Sequence, residues 1–290
     1  MRPTQAPVPG ATRSENTATA LLLGPGFIWL LVLFAAPIAI VVAVSLARRG
    51  MPVEWAFDFS AYARARDPIM ARIVWRSFLL GVMSTGVCAV VGYPLTYFIV
   101  RRTARVRYLL YFLVLIPLTA NSLVLIYAWI TLLRPTGLIE HFIRGLGLAG
   151  EGTVSILYTP WAVGIGLTYW YLPFMVYPLY ASMERFDFRL LEAAADLGAN
   201  RFQSFWRVLL PQTVPGLATG CLLVFVQTFC SFVVPDLLGG SKTLMLGSFI
   251  QQRFLNLPQD WPLGGALAML MIVVLGMGVW AVGVLQRREG

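Results

Sequence analysis

Two groups of residues in this sequence have types and spacing that could do work. The first lies in Met183 to Gln212, MERFDFRLLEAAADLGANRFQSFWRVLLPQ, where Glu192-Ala193-Ala194 is followed by three residues, Gly198, nine residues, Val208, one residue and Leu210-Pro211. Leu190 to Leu197 is rich in helix formers, Gly198 is a natural C-terminal stop, and Asn200 suits the cap of a second helix running through Trp206 to Leu210. The expectation is two short helices with a sharp break. Alanines at 193 to 195 leave a smooth surface that another protein could approach closely, and Glu192 and Asp196 share a face at i, i+4. An ordinary solvated loop would explain a few of these letters, but not the whole spacing.

The second group is neutral and aromatic, set inside apolar stretches. Asn121, Tyr127, Trp129, Tyr171, Gln227 and Phe229 are candidates for lining a path through the molecule, within a wider set that includes Tyr93, Tyr97, Tyr169 and Trp170. A cation over an aromatic face gains about 0.5 to 2 kcal/mol, enough to guide a charged amine but not to hold it. Asp236 is the nearest acid to an outer mouth of such a path. For each ring the competing reading is a packed or interfacial aromatic.

Other chemistries lack their parts. Cys88, Cys221 and Cys230 fall in apolar segments without metal-like spacing, and His141 is the only histidine. Gly239-Gly240-Ser241-Lys242-Thr243 imitates a phosphate loop, yet Ser241 stands where a glycine is required and Asp236 where the first glycine belongs. No cofactor is expected on this chain.

The elements that must position these residues are membrane helices. Of 290 residues, 58% are hydrophobic and 12% charged, about half the charge of a soluble domain. A bilayer needs about 20 apolar residues per helix, which predicts spans near 21–46, 77–100, 109–133, 154–182, 213–235 and 263–285, none holding Asp, Glu, Lys or Arg. A polar tail, 1–20, precedes them, the loop at 183–212 separates the fourth and fifth, and 286–290 ends the chain. Leu21 to Leu46 is too long for the 7 to 15 residues of a signal core. Segment 47–76 reads as a partly helical lead-in to the second span.

Orientation follows the arginines. Four lie within Arg101 to Arg107, whereas the longer segment from Arg48 to Arg76 mixes six with Glu54, Asp58 and Asp67. Both termini and the 183–212 loop are therefore expected in the cytoplasm. The formal charge of +9 is spread over loops on both sides, which fits lipid headgroups better than nucleic acid. Prolines recur in the spans, and Gly81, Gly86, Gly92, Gly164, Gly166, Gly216 and Gly220 mark places where helices could approach closely.

The loop pattern resembles the cytoplasmic coupling loop of the permeases of binding-protein-dependent ABC importers, whose hallmark is EAA, three residues, Gly, nine residues, Ile, one residue, Leu-Pro. Val208 stands for the isoleucine. Gly92-Tyr93-Pro94-Leu95, Ile116-Pro117-Leu118, Tyr171-Leu172-Pro173-Phe174, Pro215-Gly216, Leu238-Gly239-Gly240, and Gly137 followed by Gly145-Leu146-Gly147-Leu148 are similar to the spermidine/putrescine branch, its first permease subunit above all. The resemblance implies an all-α membrane protein with six transmembrane helices, the type I ABC importer permease fold with a cytoplasmic coupling-helix loop, in a bacterial inner membrane. It implies Glu192, Ala193, Ala194, Asp196 and Gly198 as a docking knob and Leu210-Pro211 as the return to the membrane. It also implies a homologous second permease, two ATP-binding subunits carrying ATP and magnesium, and an extracytoplasmic solute-binding protein.

Relatives in that superfamily move ferric iron, phosphonates, opines and other solutes, so the solute stays open. An ion-coupled carrier and a channel are the competing classes, and the spans lack the acidic, histidine or filter residues those often use.

Overall fold

The computed structural model describes residues 13–50, 56–135, 137–145, 156–240, 243–256 and 259–289. Its regular elements are helices. In chain order they are α1 (Arg13–Ser45), α2 (Ser60–Ala65), α3 (Pro68–Val100), α4 (Ala104–Thr119), α5 (Ser122–Leu133), α6 (Leu138–Gly145), α7 (Pro160–Glu184), α8 (Arg189–Asp196), α9 (Arg201–Ser204), α10 (Leu210–Cys230), α11 (Leu246–Leu255) and α12 (Trp261–Glu289). A π-helical stretch, Phe205–Leu209, joins α9 to α10, and a second, Pro235–Gly239, follows α10.

Five helical segments among the described residues are long and apolar enough to cross a membrane: Gly24–Ser45, Pro68–Val100, Ser122–Phe142, Arg201–Cys230 and Trp261–Trp280. The chain is a multi-pass membrane protein. α7 has the length, 25 residues, but its Trp, Tyr and Pro content lowers its hydropathy. It makes up for this by packing: α3, α7 and α10 lie against one another as the centre of the bundle, and ten residues of α7 are buried, Leu167, Met175 and Leu179 among them. α1 packs on α12, and it leaves Phe27, Trp29, Leu30 and Phe34 exposed as a lipid-facing helix would.

Close approach explains some of the predicted glycines and not others. A Cβ at Gly216 would stand 2.4 Å from the Cβ of Ser182 and 2.8 Å from the carbonyl oxygen of Pro178, so α10 meets α7 at backbone distance there. A Cβ at Gly92 would fall 2.9 Å from Cγ of Met175. Gly86 and Gly164 have nothing within 4 Å, and packing in this chain gives them no reason.

The segment expected as one span over 109–133 is broken. α4 stops at Thr119, Ala120 is extended, and Asn121 caps α5 by accepting from the Leu123 N–H at 2.9 Å. The reason is local. Asparagine competes for backbone groups and favours a cap over a helix interior, and Pro117 lies one turn earlier. The lead-in before the second span is mostly helical, as α2 and the first turns of α3, with Asp67 capping Ile69 N–H at 2.9 Å. α2 is tied to the start of α12 by Asp260, 3% exposed, which accepts from Arg64, stands 3.7 Å from Arg49 Nε and caps Leu263 at 3.2 Å.

Candidate functional site

The 183–212 loop folds from short-range signals. α8 is eight residues, RLLEAAAD, and buries none of them. Leu197 ends it, and Gly198 takes φ +86°, a left-handed backbone that penalises any residue with a Cβ. The Gly198 N–H donates to Ala195 O at 2.9 Å and the Ala199 N–H to Ala194 O at 3.0 Å, the paired bonds of a Schellman stop. Two residues later a capping box begins α9: Gln203 N–H donates to Asn200 Oδ1 at 2.8 Å, and Asn200 N–H to Gln203 Oε1 at 3.1 Å. The expected second helix does not stop at Leu210. It continues through the π-helical stretch directly into α10, with Leu210 and Pro211 as the first residues of that helix.

Glu192, Ala193, Asp196 and Gly198 are exposed and Ala194 is half-buried. Sequence reasoning missed their apolar neighbours: Leu197 is 90% exposed, Phe202 71% and Trp206 53%. The signal was available, since large apolar side chains beside a helix break in a polar loop have no core of their own to enter. Around the knob they make an apolar surface fit for a protein contact.

The other candidates come from four separate segments. A cavity of about 200 Å³ opens between α5, α7 and the end of α10, lined by Ser122, Ile126, Trp170, Tyr171, Gln227 and Cys230, among others. It brings together Tyr171 and Gln227. Its lining holds no acid or base, so it offers rings, hydroxyls and an amide. Ser231 also lines it, and neither Ser122 nor Ser231 was expected; both sit where a helix begins or ends, which only the fold reveals.

The remaining candidates lie elsewhere. Asn121 adjoins the cavity-lining Ser122, but its Oδ1 is engaged in capping. Tyr127 is 58% exposed, and Trp129 packs edge-on to Tyr169 with centroids 5.3 Å apart. Asp236, half-buried, sits in the π-helical stretch after α10. Phe229 is a correction. It is 1% exposed, stacked on Phe225 at 5.7 Å and packed with Leu246, Phe249, Leu263 and Leu267, so it is core and lines no path in this chain. Lys242, expected on the outer side of the membrane, lies outside the described residues.

An apolar helical bundle carrying this loop defines a class of transport subunit. Residues 86–288 match the family of binding-protein-dependent transport system inner membrane components, and the chain belongs to it. It is 37% identical over 268 residues to the spermidine/putrescine transport system permease protein PotB of Salmonella typhimurium (strain SL1344), spanning 92% of this chain and 91% of that one. With PotB of Escherichia coli (strain K12) it shares 39% over 251 residues, 86% and 90% of the two chains. Its fold is similar to a chain of a bacterial alginate ABC transporter in complex with alginate pentasaccharide-bound periplasmic protein, with TM-score 0.73, 18% identity, and 95% and 96% of the two chains covered. The protein is thus an ABC importer permease subunit of a bacterial inner membrane.

Proposed function

We propose that the protein is the first permease of a polyamine importer, passing spermidine or putrescine delivered by an extracytoplasmic binding protein. The observation that carries the solute is identity of 37% to 39% with spermidine/putrescine permeases along nearly the whole chain. A path of this chemistry suits an amine. The cavity at Tyr171 and Gln227 has no carboxylate to trap a dication, and ring contacts of about 0.5 to 2 kcal/mol let it bind and leave.

In this reading Glu192, Ala193, Ala194, Asp196 and Gly198, ringed by Leu197, Phe202 and Trp206, dock into one of two ATP-binding subunits in the cytoplasm. Those subunits carry ATP and magnesium, and a homologous second permease completes the path. Both termini are then cytoplasmic, because α3 ends beside the loop, with Arg101 over Phe188. Asn121, Tyr127, Trp129 and Asp236 are further candidates for the path outside this cavity.

The test is uptake of labelled spermidine and putrescine into proteoliposomes holding the permease with its partner subunits. Uptake that needs ATP, stops with vanadate and yields to unlabelled polyamine is the expected result. Uptake indifferent to vanadate sinks the ATP-driven reading, and competition by ferric iron or a phosphonate in place of polyamine sinks the solute.

A further inference from the structure

We propose that one face of α3, carrying Tyr93 and Tyr97 and continued by its cap Arg101, takes up the movement of the 183–212 loop and passes it into the bundle, so that these three are positioning residues for coupled transport. The proposal rests on the reading that this loop receives the ATP-binding subunit. At spacings of four, the three side chains lie above one another on a single helical face.

They hold the loop at both ends. At its start, the Arg101 guanidinium lies 5.8 Å from the Phe188 ring and 5.7 Å from the Tyr97 ring, and donates to the Tyr97 hydroxyl at 2.9 Å. Phe188, the residue that opens α8, is also tilted against Tyr97 at 6.3 Å and edge-on to Phe186 at 5.2 Å. At the loop's return, Phe205 stands edge-on to Tyr93 at 5.3 Å, and the Tyr93 hydroxyl bonds Thr213 Oγ1 of α10 at 2.8 Å. Between the two grips lies a cavity of about 840 Å³, with Tyr93, Tyr97 and Arg101 on one side and Leu191, Ala195 and Ala199 on the other.

That arrangement decides where force goes. α8 has no fully buried residue and lies along this cavity, so a displacement of α8 reaches the bundle through half-buried Leu191 and reaches α3 through the ring contacts at Phe188 and Phe205. α3 in turn is packed on α7 and α10 with no slack: a Cβ at Gly92 would touch Met175, and one at Gly81 would stand 3.1 Å from Phe225. Those two helices carry Tyr171 and Gln227. The loop is joined to α7 and α10 by the chain itself; by side-chain contact it meets α3 at Phe188 and Phe205 and α4 at the Arg107–Glu184 ion pair, 3.2 Å long.

The experiment uses the assembled complex and the native thiol of Cys230, which lines the cavity, after Cys88→Ala and Cys221→Ala. The labelling rate of Cys230 is measured with and without vanadate-trapped ATP, which needs no transported solute. In separate samples, Ala199→Cys is cross-linked to the ATP-binding subunit. The expected result is that trapping changes Cys230 labelling in the parent, while Tyr97→Leu and Arg101→Gln reduce that change roughly threefold to tenfold. Cross-linking stays within about twofold of the parent, because neither residue belongs to the docking knob. Tyr97→Phe and Arg101→Lys, which keep ring and charge, retain most of the response. A parent without the labelling change, or an unaltered change in both variants, overturns the proposal. Arg101 is exposed, so Arg101→Gln carries the test if Tyr97→Leu does not accumulate. Absence of the cross-link in the parent is a different failure, that of the docking reading itself.

Discussion

The loop at 183–212 and the cavity at Tyr171 are built by opposite rules. In the loop the turn and its caps are settled within six residues along the chain: Gly198 turns left-handed, Ala199 bonds Ala194, and Asn200 and Gln203 exchange bonds. The cavity has no such grammar. Ser122, Tyr171 and Gln227 belong to three helices, and Tyr171 and Gln227 share one bundle because Gly92, Gly216 and Gly220 let α3, α7 and α10 close on one another. A short-range device fails by losing its shape while the rest of the protein stands, whereas a device held by packing fails together with the fold.

The sharpest way to break that contrast is at the helix contact. Gly216→Val puts a branched side chain where even a Cβ meets Pro178 O at 2.8 Å. Overpacking of this sort costs about 1–3 kcal/mol, and more where backbone must move. Permease in the membrane is expected to fall roughly tenfold, with uptake falling in proportion. Quantitative blotting beside uptake decides it, and normal abundance would mean that α7 and α10 are less tightly joined than the distances say.

Gly198→Val is the counterpart in the loop. Nothing lies within 4 Å of a Cβ there, so the harm comes from φ +86° alone, roughly 1 kcal/mol or more and worst for a β-branched residue. Abundance is expected to stay near the parent while uptake per permease falls about tenfold and capture of the ATP-binding subunit weakens. Gly198→Asn, which tolerates the left-handed region, sharpens the point by keeping most of both. Full uptake with Gly198→Val would reduce the loop to a connector. Glu192→Ala is expected to act in the same direction by only about threefold, since an exposed charge at a subunit contact contributes little.

The same contrast explains what could be read from the sequence. The all-helical membrane architecture, the helix stop at Gly198 and the cap at Asn200 were legible because length, hydropathy and capping are local properties. Asn121 was legible as a polar residue in a span, yet its cap was overlooked, and with it the break between α4 and α5. Residue type alone could not tell a lining ring from a core ring. Phe229 and Tyr171 are both aromatic residues in membrane helices, and only the packing of α11 and α12 over Phe229 separates them. The grip of Arg101 on Phe188 joins residues 87 positions apart, a pairing that local patterns do not encode.

The smallest effect tests that separation directly, with two residues of one helical turn. Gln227 lines the cavity, and Phe229, two positions on, is packed among Leu246, Phe249, Leu263 and Leu267. Gln227→Leu keeps the size of the side chain and removes its amide, one neutral hydrogen-bonding group of roughly 0.5 kcal/mol or slightly more. The apparent KM for the proposed polyamine is expected to rise about twofold, with abundance unchanged. Phe229→Leu removes ring contacts from the core and leaves a void, which costs about 1–3 kcal/mol. It is expected to lower abundance and the thermal midpoint in detergent while the surviving permease keeps its KM. Uptake curves normalised to membrane abundance read both quantities at once. If Phe229→Leu shifts KM and Gln227→Leu does not, the path runs along the other face of α10, and the cavity at Tyr171 is a packing gap.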